Sequence, residues 1–229
     1  FLCVLYPFLN LNKEQKQFFK SESNNLEKII PDSINPNCNI YENNNYKNAF
    51  FSLKEIKIII PESRRWVKNL INAKVSKNNS ISEKYKKRFN AEIIFRGNKS
   101  KFCKLPAKVR ISGDWKDHIA LRGNKIISSL DVKLLKGNIN GITKFKLFIP
   151  ETRNGPSEVA TALFLKKLGQ LSPRTKLINV DINSSKNIML FQEKATKELI
   201  ENNKLRESTI IESDESLLWK INKYASPSE

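Results

Sequence analysis

KFKLFIPETRNGPSEVATALFLKKLG (Lys144–Gly169) followed by SPRTKLINVDINSSKNIMLFQEKATKELIENN (Ser172–Asn203) decides how this chain is read. In KFKLFI, Phe145, Leu147 and Ile149 share one face while Lys144, Lys146 and Phe148 share the other, the period of a strand. A helix follows: Asn154 or Gly155 can cap it, Pro156 suits its first turn and Gly169 its left-handed stop. Val159, Ala162, Leu163, Phe164, Leu165 and Leu168 wrap most of its circumference, which predicts a helix packed against the sheet. LINVDI then alternates, NSSK makes a hairpin turn, and NIMLFQ is an apolar run fit for a central strand. Lys194 to Asn203 reads as a helix with Glu193, Lys197 and Glu201 one turn apart.

Working outward from there, FNAEIIF, AKVRISGDW, SSLDVKLL and ITKFKLFI are successive strand candidates from Phe89 onward, separated by glycines. EIKIIIPESRRWVKNLINAK predicts a strand ending at Pro61, then a helix carrying Trp66, Leu70 and Ile71. The polar stretch VSKNNSISEK is where the main domain boundary is expected. Residues 13–85 are a polar, partly helical N-terminal region, with a short helix over Lys13 to Ile30, and 86–229 are the main domain. The expected fold is α+β, mainly an antiparallel sheet with helices packed on it. FLCVLYPFL, within residues 1–12, is too short to cross a bilayer. It reads as the remnant of a signal or anchor segment or as a buried strand. YASPSE stops without a helix cap, so the chain reads as a fragment.

The 229 residues are enough for a sizeable core. Lys and Arg number 41 against 23 Asp and Glu, a net charge of +18 that attracts anions. The lysines are scattered and no basic stripe is interleaved with stacking aromatics, so nucleic acid is not the expected partner. Cys3, Cys38 and Cys103 lie far apart and form no zinc-ligand spacing. Cys38 and Cys103 are able to pair in an oxidising compartment. With His118 the single histidine, a His-rich metal site is excluded, and no nucleophile elbow precedes a helix.

The order strand, helix, strand, hairpin, strand is that of the nucleotide-binding lobe of a kinase. There a strand Lys is fixed by a Glu on the following helix, and adenine lies against the strand end leading to the second lobe. Phosphoryl transfer needs cations held rigidly toward the phosphates, metal-binding carboxylates and an Asp that orients the acceptor. Lys146 and Glu158 fit the first roles, Glu193 ends the last strand, and Lys133, on the polar face with Asp131, is the other candidate cation. The bland readings are equally physical. Lys144 and Lys146 fit a solvated strand face, Glu158 suits the helix dipole wherever it occurs, and Glu193 can cap the next helix or pair with Lys197.

KVRISGDWKDHI, SLDVKLLKGNINGITKFKLFIPETRNGPSEV and LFQEKATKELIENNKLRESTIIESDESLLW resemble the CotH-like (spore-coat protein H type) atypical kinase family, over about residues 105–220. The motifs are G-D-x-x-D-H, F-x-L-x-x-P-x-T-R-N and a strand ending in Glu before E-L-I-E-N-N. Where the family usually carries N-G-x-x-x-G before the apolar strand, Asn183 is followed here by Ser184, Ser185, Lys186 and Asn187. The resemblance implies a protein-kinase-like small lobe and a secreted or membrane-anchored bacterial surface protein. It implies transfer of phosphate from ATP to Ser or Thr of a surface or envelope protein, with magnesium or another divalent metal. The catalytic Asp and metal ligands belong to a second lobe beyond this chain, so the fragment alone is expected to be inactive. The competing expectations are a catalytically silent envelope scaffold and a cationic adhesin that binds polyanions in a salt-dependent way.

Overall fold

The computed structural model describes residues 53–77, 79–96 and 102–211, all within one compact unit. The expected Lys13–Ile30 helix and the apolar start lie outside the described residues. The element order is β1 (Glu55–Ile59), α1 (Ser63–Val75), β2 (Phe89–Arg96), β3 (Phe102–Ile111), β4 (Ile119–Arg122), β5 (Lys125–Ser128), β6 (Leu130–Leu134), β7 (Lys144–Phe148), α2 (Gly155–Lys167), β8 (Thr175–Ile182), β9 (Ser185–Glu193) and α3 (Lys197–Asn202). The expected strands and the three helices are therefore present. β4 and β5, which form a separate two-stranded ribbon, were not among the expected strands.

What differs is how the strands join. They form a closed barrel in the order β1-β2-β3-β6-β7-β9-β8, not an open α+β sheet covered by helices, so the expectation of a kinase-like small lobe is corrected. β1 makes the difference. It pairs antiparallel with β2 and parallel with β8, which leaves the sheet no edge. β1 lies before the polar stretch near residue 80, so the barrel draws strands from both sides of it.

Alternation fills the interior. Ile56, Ile58, Ile93, Phe95, Leu105, Val109, Leu130, Val132, Phe145, Leu147, Met189 and Phe191 are buried in a single cluster. Phe145 stacks on Phe191 with ring centroids 4.7 Å apart, and Phe95 meets Phe145 edge-on at 6.1 Å. Trp66, Leu70 and Ala73 of α1 join the same core, with Trp66 edge-on to Phe89 at 5.2 Å.

α2 departs from its expected packing. It leans on β8, but Gly155 is its one buried residue, and Phe164 and Leu168 are 61% and 58% exposed. The physical reason is the closure: wall side chains already fill the barrel, so no bare apolar sheet face remains for a helix to seal.

The β8–β9 hairpin turns through Asn183 and Ser184, both at positive φ (46° and 67°), as a two-residue type I′ turn requires. The Asn183 side chain clasps the end of β1, accepting from Ile60 N–H at 2.8 Å and donating to Ile60 C=O at 3.2 Å. Cys103 on β3 is disulfide-bonded, and the chain's other cysteines lie outside the described residues. Among the described residues no helix is long and apolar enough to cross a membrane.

Candidate functional site: a cationic wall on the barrel

On β3, β6, β7 and β9 the residues that alternate with the core point outward, and the register lines them up. Arg110, Asp131, Lys146 and Gln192 are successive partners across the four strands. A second rank, Lys108, Lys133 and Lys144, runs beside it. Cations thus dominate the outer wall, and Asp131 is the one acid within these two ranks.

Asp131 is buried beneath arginines. Arg110 donates to its carboxylate from Nε at 3.0 Å and from Nη2 at 2.9 Å, and Arg88 approaches to 3.4 Å. Burial alone would raise the Asp131 pKa, but Arg88, Arg110 and, further off, Lys194 outweigh it and hold the carboxyl below its ordinary value.

Lys146 stands between Asp131 and Gln192. Gln192 Nε2 donates to Glu158 Oε1 at 2.7 Å, and Arg153 lies 3.8 Å from the same oxygen. Lys146 Nζ and the Arg153 guanidinium also sit 5.8 and 4.9 Å from the centroid of the Phe148 ring. Lys146 and Glu158 are therefore drawn into one neighbourhood through Gln192. Lys133 occupies the second rank and is exposed.

Glu193 sits elsewhere. It partners the inward-facing Phe145, so its side chain leaves β9 on the side opposite Gln192. There it accepts a fork from Arg174, Nε to Oε2 and Nη2 to Oε1, both at 2.7 Å, while Arg174 Nη1 donates to Asn140 C=O. Lys197 pairs with Glu201 at 3.6 Å.

The GDWKDH segment braces the end of the wall. His118 is buried, its Nδ1 2.9 Å from Ser129 Oγ, and that hydroxyl accepts from Ile149 N–H at 3.0 Å. Burial lowers the His118 pKa; Asp117 and Asp114 oppose this and Arg153 and Lys146 reinforce it. Gly113 has φ +94°, and a Cβ there would stand 2.0 Å from His118 Cδ2, so ring and glycine need each other. Asp114 accepts from Lys86 at 2.5 Å. Burial works against the charged Lys86, yet its bonds to Asp114 and Glu83 raise its pKa. Asp117 is exposed on the 3-10 turn that ends at His118.

Sequence reasoning did not single out Arg88, Arg110, Gln192 or Arg153 for this site. For Arg110 and Gln192 the signal was period-two alternation on strands, which becomes a site only when the register is known; Arg88 precedes β2 and Arg153 lies on the 3-10 turn before α2, where no alternation marks them. Among the described residues no group of three or more His, Cys, Asp and Glu is arranged to hold a metal ion. No protein-family model matches the chain, and no curated protein matches it.

Proposed function

We propose that this chain carries the phosphate-gripping part of an extracytoplasmic, ATP-dependent phosphotransferase of the CotH-like type, acting on Ser or Thr of a surface protein. The observation that carries the reading is the rank Arg110–Asp131–Lys146–Gln192 with Glu158 bonded to its end. A strand lysine whose register neighbours are an arginine-compensated aspartate and a glutamine tied to a helix carboxylate, with its ammonium over the Phe148 ring, is a cation on a braced frame. That is what a phosphate-binding group must be, because phosphoryl transfer depends on positioning and charge more than on covalent help from the protein.

The residues fit a nucleotide's anionic tail. Lys146, with Lys133 beside it, faces the phosphates, and Glu158 orients the rank through Gln192. Glu193 fixes the end of β9 through Arg174 rather than touching the nucleotide. A divalent ion would supply charge neutralisation to the phosphates, but the described residues offer no donor set that fits one. The disulfide at Cys103 supports an oxidising compartment, since such bonds seldom persist in the cytosol.

A second reading, a catalytically silent envelope scaffold, is favoured by the exposed apolar side chains of α2, a surface suited to a partner. The two separate in the complete protein supplied with ATP and magnesium. Phosphotransfer that Lys146→Met abolishes supports the enzyme. Transfer undiminished in that variant removes Lys146 from the site, and no transfer by the wild type leaves the scaffold.

A further inference from the structure

The rank Lys108–Lys133–Lys144 is not explained by a single phosphate-gripping lysine. These residues face one another directly across β3, β6 and β7, and neighbouring strands are about 4.8 Å apart. Like charges opposed in this way destabilise a sheet. Lys108 and Lys133 are exposed, Lys144 is half-buried, and Lys194 continues the line, its N–H donating to Lys144 C=O at 3.1 Å.

The acids nearby are engaged. Asp131 is held by Arg88 and Arg110. Glu198, near Lys144, accepts from Thr143 Oγ1 at 2.6 Å. No carboxylate among the described residues pairs with Lys108 or Lys133. Lys144 thus has Glu198 near it, whereas the fold keeps Lys108 and Lys133 opposed on the exposed wall with no carboxylate of the described residues between them, as a surface built for an anionic partner does.

We propose that this wall docks an acidic polypeptide segment, an extended run rich in Asp and Glu. Along the strands, Lys108 with Arg110 and Lys144 with Lys146 are two residues apart, about 6.7 Å. Alternate carboxylates on one face of an extended peptide have the same spacing, so a single segment can meet both ranks. Nucleic acid fits less well, because among the described side chains of this wall the aromatic ring, Phe148, is buried and offers no face for a base to stack on. The proposal shares Lys133 and Lys146 with the nucleotide reading, and its test therefore rests on Lys108 and Lys144, to which that reading gives no role.

The test is fluorescence anisotropy with a labelled oligoglutamate peptide at low and physiological salt. Lys108→Glu/Lys144→Glu is compared with Lys166→Glu/Lys167→Glu, an equal charge change on the exposed end of α2. The wall variant binds at least roughly tenfold more weakly than wild type and the α2 variant nearly normally, with steep weakening by salt throughout. ATP titration of the wild type is read separately, because Lys108 and Lys144 flank the lysines assigned to the phosphates: peptide binding lost in the wall variant with no ATP binding by the wild type supports the docking wall and removes the nucleotide reading. Equal loss in both variants would reduce the effect to net charge and overturn the proposal. So would a single-stranded oligonucleotide that binds more tightly than the peptide at the same salt. If the glutamate pair melts early, Lys108→Gln/Lys144→Gln gives the same comparison without new charges.

Discussion

Gln192 donates from Nε2 to Oε1 of Glu158 across 2.7 Å, joining the outer face of β9 to the first turn of α2. This bond, not the helix's apolar side chains, is the specific link between α2 and the cationic wall. Gln192→Leu keeps the size of the side chain and removes the donor. We expect a stability loss of about 1 kcal/mol in denaturant unfolding, the usual value of one such bond. Nucleotide affinity should fall with it, since Glu158 is no longer held beside Lys146. Unchanged affinity in a folded Gln192→Leu variant would show that Glu158 takes no part.

Asp131 and His118 give stability separate pH windows. The folded pKa of His118 lies below the ordinary 6.5, so its neutral form is preferred and the associated stability is fully present above pH 6.5. That stability is lost as pH falls through the folded value. Asp131 is also depressed, from 3.8, so its contribution holds above that pH and drains away only in stronger acid. Melting temperatures should therefore dip as pH falls below 6.5 and fall again in stronger acid, where Glu198 and then Asp131 take up protons. Ser129→Ala, which removes the bond to His118 Nδ1, should alter the first step and spare the second.

The β8–β9 turn should gain from a glycine in place of Ser184. Ser184 occupies φ 67°, a left-handed conformation that costs a side-chain-bearing residue about 1–2 kcal/mol. Ser184→Gly relieves that strain and gives back part of it as unfolded-chain entropy. A net gain of roughly 0.5–1 kcal/mol is expected in denaturant midpoint, with no change in the unfolding slope.

Phe164 and Phe145 separate surface from core. Phe164→Ser on the exposed end of α2 should shift stability by no more than about 0.5 kcal/mol. Phe145→Ala, which empties a stacked ring position inside the barrel, should cost about 3–5 kcal/mol. A large loss from Phe164→Ser would restore the packed helix that the sequence suggested.

Much of the local structure was legible because it is local. Alternation placed β2, β3, β6 and β7, and Asn154, Pro156 and Gly169 bounded α2. Closure was not legible. It depends on β1 pairing parallel with β8, residues far apart in the chain that no periodicity links. The error over α2 followed, because an apolar helix was assigned a sheet face that closure had already filled. The neighbourhood of Lys146 was legible only in part, for the same reason. Lys146 and Glu158 could be named, but the residue joining them could not. Glu193 was chosen at the end of β9, whereas the outward side chain beside Lys146 belongs to Gln192, one residue earlier. In a strand, a step of one residue changes the face.

The most direct measurement is calorimetric titration of ATP into the wild type, Lys146→Met and, as a control, Lys166→Met on the far end of α2. Wild type and control should both bind ATP. In Lys146→Met affinity should fall at least about tenfold, the loss of one charge-assisted contact. Equal affinity in all three proteins, or no binding by the wild type, would contradict it.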